Sequence, residues 1–266
     1  MRKMLLGVVG LIALGAAAPA IAADLPARPY VKAPVMIPAI YDWTGLYIGL
    51  NGGGGSARKC WDVNNALGIP VVPAVHEGCH NATGGLVGGQ IGYRWQAGAW
   101  VFGVEAQGDW ANFRGSNASI PVAALLGVPL LTNQTKVDAI GLFTGQVGYA
   151  WDNVLWYVKG GAALTDDRYN GLVTGTNVVL DTSNETRWGG TVGTGVEIAF
   201  APSWSIGFEY DHLFMGSRNL NFTASQLVTA TLGQVTFTRN DHISQNVDIG
   251  TVRINYRWGG PVVSKY

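Results

Sequence analysis

The chain has 266 residues, with 17 Lys+Arg against 17 Asp+Glu, and it lacks the basic excess expected of a nucleic-acid-binding domain. Only 13% of residues are charged, while 38 are Gly, 10 Trp and 10 Tyr, which does not suit an ordinary cytosolic enzyme. An apolar content of 48% also excludes a disordered chain and fits a thin β-structure with aromatics at an interface.

In chain order, Arg2 and Lys3, the apolar run Met4 to Ala18 and the Ala20-Ile21-Ala22 site read as a signal peptide over 1–23. Cleavage is expected after Ala22 or Ala23. Pro26, Pro29, Pro34 and Pro38 make 24–42 an expected extended periplasmic linker, because proline defeats both helix and ladder. No later stretch supplies about 18 consecutive apolar residues. If the mature chain sits in a membrane, it must therefore be a closed barrel, in which every backbone group finds a partner.

Alternation dominates the rest, over roughly 46–53, 86–95, 100–110, 137–151, 154–165, 187–200, 203–215 and 244–258. Val87, Ile91, Tyr93 and Trp95 oppose Gly88, Gln90, Gly92 and Arg94; Val252, Ile254, Tyr256 and Trp258 oppose Thr251, Arg253, Asn255 and Arg257. The eight segments are long enough to cross the hydrocarbon when tilted. Gln96-Ala97-Gly98-Ala99, Asp152-Asn153 and Ala201-Pro202-Ser203 are tight turns, and roughly 58–83, 112–136, 166–186 and 216–243 are expected to be long loops. Short and long connections in alternation predict an all-β, eight-stranded antiparallel transmembrane β-barrel over 43–258. It would have short periplasmic turns, four long extracellular loops and a C-terminal tail over 259–266, and it would lie in the bacterial outer membrane. Tyr93, Trp95, Trp100, Tyr149, Trp151, Trp204, Tyr256 and Trp258 sit at strand ends and predict an aromatic girdle. The alternative, a soluble β-sandwich with core aromatics, does not account for that placement.

Arg94, Glu105, Gln107, Lys159, Glu197, Glu209 and Arg253 share the face of the small residues and predict an interior polar network. Glu105, Glu209 and Lys159 each lie five positions after a strand start, at Trp100, Trp204 and Val154. Equal spacing and parity place them with Arg253 in one cluster in the periplasmic half. An eight-stranded barrel is just wide enough for side chains to fill, so a plugged lumen is expected; a small porin-like channel is the alternative.

His76, His80, His212 and His242 are the only histidines, and neither a G-x-S-x-G elbow nor an H-E-x-x-H helix occurs. Asp211 beside His212 and Asp241 beside His242 would face opposite ways in a strand, so no catalytic site is expected. Gly52 to Gly55 lacks the Lys-Ser/Thr and the helix of a phosphate loop. Cys60, His76, Cys79 and His80 have metal-like spacing, but an oxidising compartment favours a Cys60–Cys79 disulfide in the first extracellular loop. Neither metal nor cofactor is expected. The loops contain apolar segments, Ile69 to Val75, Val122 to Val128, Val178 to Leu180 and Gln226 to Phe237. Either strands extend beyond the membrane and pack on each other, or an apolar rim meets another surface, with Leu125 and Leu126 as the contact candidates.

Tyr41-Asp42-Trp43-Thr44-Gly45-Leu46-Tyr47-Ile48-Gly49 resembles the first-strand signature of the alphaproteobacterial small outer-membrane β-barrel family, the RopB-type surface antigens related to OmpA/OmpX-like barrels. Gly148-Tyr149-Ala150-Trp151, Gly193-Thr194-Gly195-Val196-Glu197 and Val252 to Trp258 are similar to its later strands, and Ala23 to Pro26 and Gly259 to Tyr266 to rhizobial members. The resemblance implies a structural and surface role without a defined catalytic centre. The expected partners are outer-membrane lipid and lipopolysaccharide, the barrel assembly machinery, and a host or cell-surface ligand reached through the loops, with no nucleic acid. The chain closes on Tyr266 after a Gly-Gly-Pro break, where many barrels present a terminal Phe, so Tyr256 and Trp258 are the expected assembly signal.

Overall fold

Strict two-residue alternation forces each segment to present one face inward and one outward, and the strands follow from it. The structure, a computed structural model, describes residues 41–66, 68–119, 131–175, 178–226, 230 and 237–258. The expected signal peptide, most of the expected linker, the tail from Gly259, the Val122 to Val128 run with Leu125 and Leu126, and most of Gln226 to Phe237 lie outside the described residues. Eight antiparallel strands follow in order: β1 (Gly45–Ala66), β2 (Ile69–Ala97), β3 (Trp100–Ser119), β4 (Leu131–Trp151), β5 (Val154–Val173), β6 (Val179–Ala201), β7 (Trp204–Ala224) and β8 (Phe237–Arg257). Each pairs with its neighbours in sequence, and β1 also pairs with β8, so the sheet closes. Tyr47 sits opposite Gly92 on one side and Arg257 on the other. No helix among the described residues is long and apolar enough to cross a membrane.

The strands are much longer than the alternation of apolar residues indicated. Large parts of the expected loops at 58–83, 112–136, 166–186 and 216–243 are strand. Thr132 to Thr135 pairs with Asn170 to Leu172 and its neighbours, and Val63 pairs with Val75. Above the hydrocarbon a strand needs no apolar outer face, so polar β-formers such as Thr continue the ladder without an apolar alternation to mark it. The apolar Ile69 to Val75 segment belongs to this extension: Val71, Val75 and Leu180 pack on buried Val63 and Leu131.

At the other end the strands join through two-residue turns. Gly98 (φ 64°) and Asp152 (φ 55°) take the left-handed conformation that two of these turns require. The second residue of each turn accepts a hydrogen bond from a strand of the next hairpin. Ala150 N donates to Ala99 O, Ala199 N to Asn153 O and Arg257 N to Ser203 O, each at 2.8 Å. The turns thereby tie neighbouring hairpins into a continuous rim.

The outer wall is lined by large apolar side chains, and most of the buried polar groups, Lys, Arg, Asp and Glu among them, are inside, the inverse of a soluble sandwich. Leu50 and Trp110 are 74% and 76% exposed, while Lys59 is fully buried. The outward face of each strand is thus matched to hydrocarbon. Tyr93, Trp95, Trp100, Trp151, Trp204 and Trp258 are exposed at the turn end, with Tyr149 and Tyr256 half-buried among them. Edge-on ring contacts connect Trp100 with Tyr149 at 5.5 Å and Trp204 with Tyr256 at 5.0 Å. These pairs cross from one strand to the next.

Candidate functional site

Since the outer wall is apolar and regular, the distinctive chemistry lies in the interior. At the turn end the segment before β1 folds across the mouth. Tyr41, from the expected linker, and Trp43 are buried against Val101, Ala150, Leu155 and Ala199. Trp43 N donates to Gln96 Oε1 at 2.8 Å. Arg257 donates to Thr44 O at 2.8 Å and lies 4.8 Å from the Tyr41 ring centroid.

The next layer is a charged cluster. Arg253 bonds Glu105 at 2.7 Å and also Glu209. Lys159 lies 2.6 Å from Glu209, 3.2 Å from Asp211 and 3.6 Å from Glu105. Arg94 pairs with Glu197 at 2.8 Å, and Ser205 also donates to Glu197. Gln107 donates to Asp109 at 2.8 Å and lies 3.5 Å from Lys159 Nζ. All seven residues singled out from strand parity are buried here. Two tyrosines complete the layer: Tyr47 Oη donates to Glu105 and Tyr157 Oη to Glu209, both at 2.6 Å. Each needs a glycine opposite. A Cβ at Gly92 would land on the Tyr47 ring, and one at Gly195 on the Tyr157 ring. Buried charges demand partners on several sides, and these hydroxyls add a second donor to the carboxylate oxygens that Arg253 holds, Glu105 Oε2 and Glu209 Oε2.

Above Asn51, Gln90 and Asn255, which form a hydrogen-bonded chain, the character changes. Leu86, Phe113, Ile140, Leu142, Leu213, Met215, Val247 and Ile249 form a buried apolar cluster. The interior expected from the sequence as ion pairs and hydrogen bonds is therefore interrupted by an apolar layer. These residues keep the inward parity of the polar ones below them, as Phe113 does after Asp109 and Gln107.

Two further polar levels follow. Lys59 Nζ contacts Asp167 at 2.8 Å, and Tyr169 and Gln245 at 2.9 Å each. Arg187 is fully buried and donates to Ile243 O at 3.1 Å, in a stretch where β6 and β7 do not pair. Higher still, Arg239 holds Glu77, Asp181 and Asp241 at 3.2 Å each and Asn133 at 2.9 Å. Its guanidinium lies 4.4 Å from the Phe222 ring centroid. None of these upper residues followed from the apolar alternation; the signal available was the inward parity of Asn51 continued through Lys59 and Trp61.

The cysteines form a disulfide, Cys60–Cys79, but not within a loop. They face each other across the β1–β2 ladder with Cα atoms 4.1 Å apart, because the strands extend through the expected loop. His76 instead bonds Asp62 at 2.7 Å, and His80 bonds Asn117 at 2.8 Å. Among the described residues no group of His, Cys, Asp and Glu is arranged to hold a metal ion. His212 faces outward to Asp248 at 2.6 Å, while Asp211 points inward; His242 bonds Asn219 at 2.7 Å, while Asp241 turns to Arg239.

The sequence profile described as outer membrane protein beta-barrel domain matches residues 8–232. The chain belongs to the outer-membrane β-barrel family. The 31 kDa outer-membrane immunogenic protein of Brucella melitensis is 30% identical over 197 residues, which cover 71% of this chain and 78% of the relative; that of Brucella suis matches equally. Among solved structures, OprG of Pseudomonas aeruginosa aligns with 12% identity and a TM-score of 0.47, covering 81% of this chain and 97% of its own. The Escherichia coli outer membrane protease OmpT aligns with 7% identity and a TM-score of 0.48, covering 80% and 97%. The chain is thus a protein of the bacterial outer membrane and a homologue of immunogenic surface proteins. In this architecture the short turns are periplasmic and the opposite end is extracellular.

Proposed function

We propose that the protein is a structural outer-membrane barrel and surface antigen with a side-chain-filled lumen, a tall extracellular wall available for contact, and no catalytic centre. The observation that carries this reading is the succession of interior layers. The charged cluster around Arg253, the apolar cluster around Phe113 and Leu142, and the ring around Arg239 occupy successive heights. A hydrated path would have to displace the apolar layer, which offers water no hydrogen-bond partners. The alternative, a small porin-like channel, finds support in the charged layers but has to cross that apolar level.

With the lumen filled, interaction falls to the lipid-facing wall and the extracellular rim. Outer-membrane lipid and lipopolysaccharide contact the first, the assembly machinery reads Tyr256 and Trp258, and a host or cell-surface ligand uses the second. Leu125 and Leu126 lie outside the described residues, and their proposed contact role rests on the apolar run around them. Replacing both with Ser is expected to reduce binding of whole cells to host-cell monolayers, while heat-modifiability on gels, the mark of an inserted barrel, stays unchanged. Undiminished binding by a correctly inserted variant would remove the rim-contact part of the proposal.

A further inference from the structure

On the outward face of the extracellular wall, two histidines and an aspartate stand side by side on three adjacent strands. In the β1–β2 ladder Cys60 faces Cys79 and Trp61 faces Gly78, but Asp62 faces His76, so the register slips by one residue at Glu77. Gly78 takes φ 113°, which a side chain there would not tolerate. A bulge of this kind re-aims the side chains around it. Glu77 turns inward to Arg239, and His76 turns outward to Asp62. On its other side Asp62 faces His242 of β8. Residues directly opposite each other hold their Cβ atoms about 5 Å apart, so both imidazoles are within reach of the carboxylate. The last large apolar residues on this outward face are Leu50 on β1 and Val252 on β8. Asp62 and His242 lie several outward positions beyond them, above the hydrocarbon band.

His76 Nδ1 lies 2.7 Å from Asp62 Oδ1, with the two side chains 60% and 37% exposed. Among the described residues no Lys or Arg pairs with Asp62, so its charge is met by His76 alone. Two imidazoles and a carboxylate are a donor set for a borderline divalent ion such as Zn²⁺. Adjacent ligands of a tetrahedral zinc ion are about 3.3 Å apart, close to the present Nδ1–Oδ1 separation. An ion over Asp62 takes the place of the proton between Nδ1 and Oδ1, and that proton leaves to water. His242 Nδ1 donates to Asn219 Oδ1 at 2.7 Å, so its ring leans toward β7. As the side chains stand, the three groups do not surround one point. The change required is to release that one bond and turn the His242 ring toward β1. The other residues with metal-like spacing in the sequence do not contribute. His80 faces inward to Asn117 and Thr135, and Cys60 and Cys79 are joined to each other.

We propose that His76, Asp62 and His242 bind a divalent transition-metal ion of the zinc class on the extracellular wall. Three protein ligands leave a fourth position open to water or to a ligand from outside the chain. The ion bridges β2, β1 and β8. The site is independent of whether the lumen is closed and of any contact through the apolar rim.

Calorimetric titration of the oxidised, tag-free, full-length barrel in detergent with Zn²⁺ alone tests this, with Co²⁺ as a spectroscopic probe of the same site. The wild type is expected to bind zinc saturably, and cobalt is expected to give visible absorption that zinc abolishes. H76Q, H242Q and D62N should each weaken zinc binding at least about tenfold, since loss of a mere supporting partner of a metal ligand already costs that much. H212Q removes the histidine that pairs with Asp248 elsewhere on the outward face and should leave binding unchanged. All three site residues are at least partly exposed, and heat-modifiability on gels confirms that each variant is an inserted barrel. Absence of saturable binding by the wild type would overturn the proposal. So would equal affinity of the wild type and H242Q, or an equal loss in H212Q.

Discussion

Arg253→Met is expected to lower the unfolding free energy of the barrel in lipid vesicles by about 3–5 kcal/mol. Arg253 is the cation shared by Glu105 and Glu209, and it also donates to Tyr157 Oη at 3.1 Å. Without it, Lys159 alone faces Glu105, Glu209 and Asp211. An uncompensated buried charge loses far more than a mutual attraction is worth, because water cannot reach it. Glu209→Gln should cost less. It leaves Arg253 paired with Glu105, and Lys159 paired with Asp211. Adding Glu105→Gln to Arg253→Met should recover part of the loss, because the two residues share one network and their effects do not add. Urea titration read by gel mobility measures all four proteins, and a loss under about 1 kcal/mol for Arg253→Met would show that the cluster is not a stabilising unit.

Arg239→Leu is expected to produce a loss of similar size, about 3–5 kcal/mol at pH 7.5, with a distinct pH dependence. Arg239 is the shared cation of Glu77, Asp181 and Asp241 above the hydrocarbon band. Burial raises the pKa of Glu77, and burial together with the charges of Glu77 and Asp181 raises that of Asp241 well above the usual carboxylate range. A carboxylate whose folded pKa is raised penalises folding when ionised, and the penalty disappears as pH falls through that raised value. Removing the guanidinium takes away the interaction that pulls both values down, so the variant should regain stability between pH 7.5 and about 5. A deficit that stays constant or grows over this range would contradict the assignment. Because the leucine also forfeits the guanidinium contact with the Phe222 ring, part of the loss should persist at low pH.

The lower half of the barrel was readable from the sequence because it obeys one rule there. Lipid outside and packed side chains inside make parity decisive, so the face of Arg94, Glu105, Lys159 and Arg253 could be assigned from the opposite face of Tyr93, Val104, Val158 and Val252. Equal distances from the turns set the heights of Glu105, Lys159 and Glu209. The upper half was not readable in this way. Once both faces meet water or polar groups, alternation of apolar residues stops marking strands, and Thr132 to Thr135 passes for a loop. The tyrosines of the lower cluster were missed for another reason. Tyr47 is placed by Gly92 and Tyr157 by Gly195, and these are neighbours only through the register. Cys60 and Cys79 could be paired from composition, but their place within a ladder depended on the unmarked extension of β1 and β2.

Single-channel recording of the purified full-length barrel in a planar bilayer tests the filled lumen most directly. The account predicts no discrete openings above the protein-free membrane, because the Phe113–Leu142–Met215 layer separates the charged cluster below from the Lys59 and Arg239 levels above. Stable, ohmic steps from correctly folded protein would contradict it and establish the channel reading in its place.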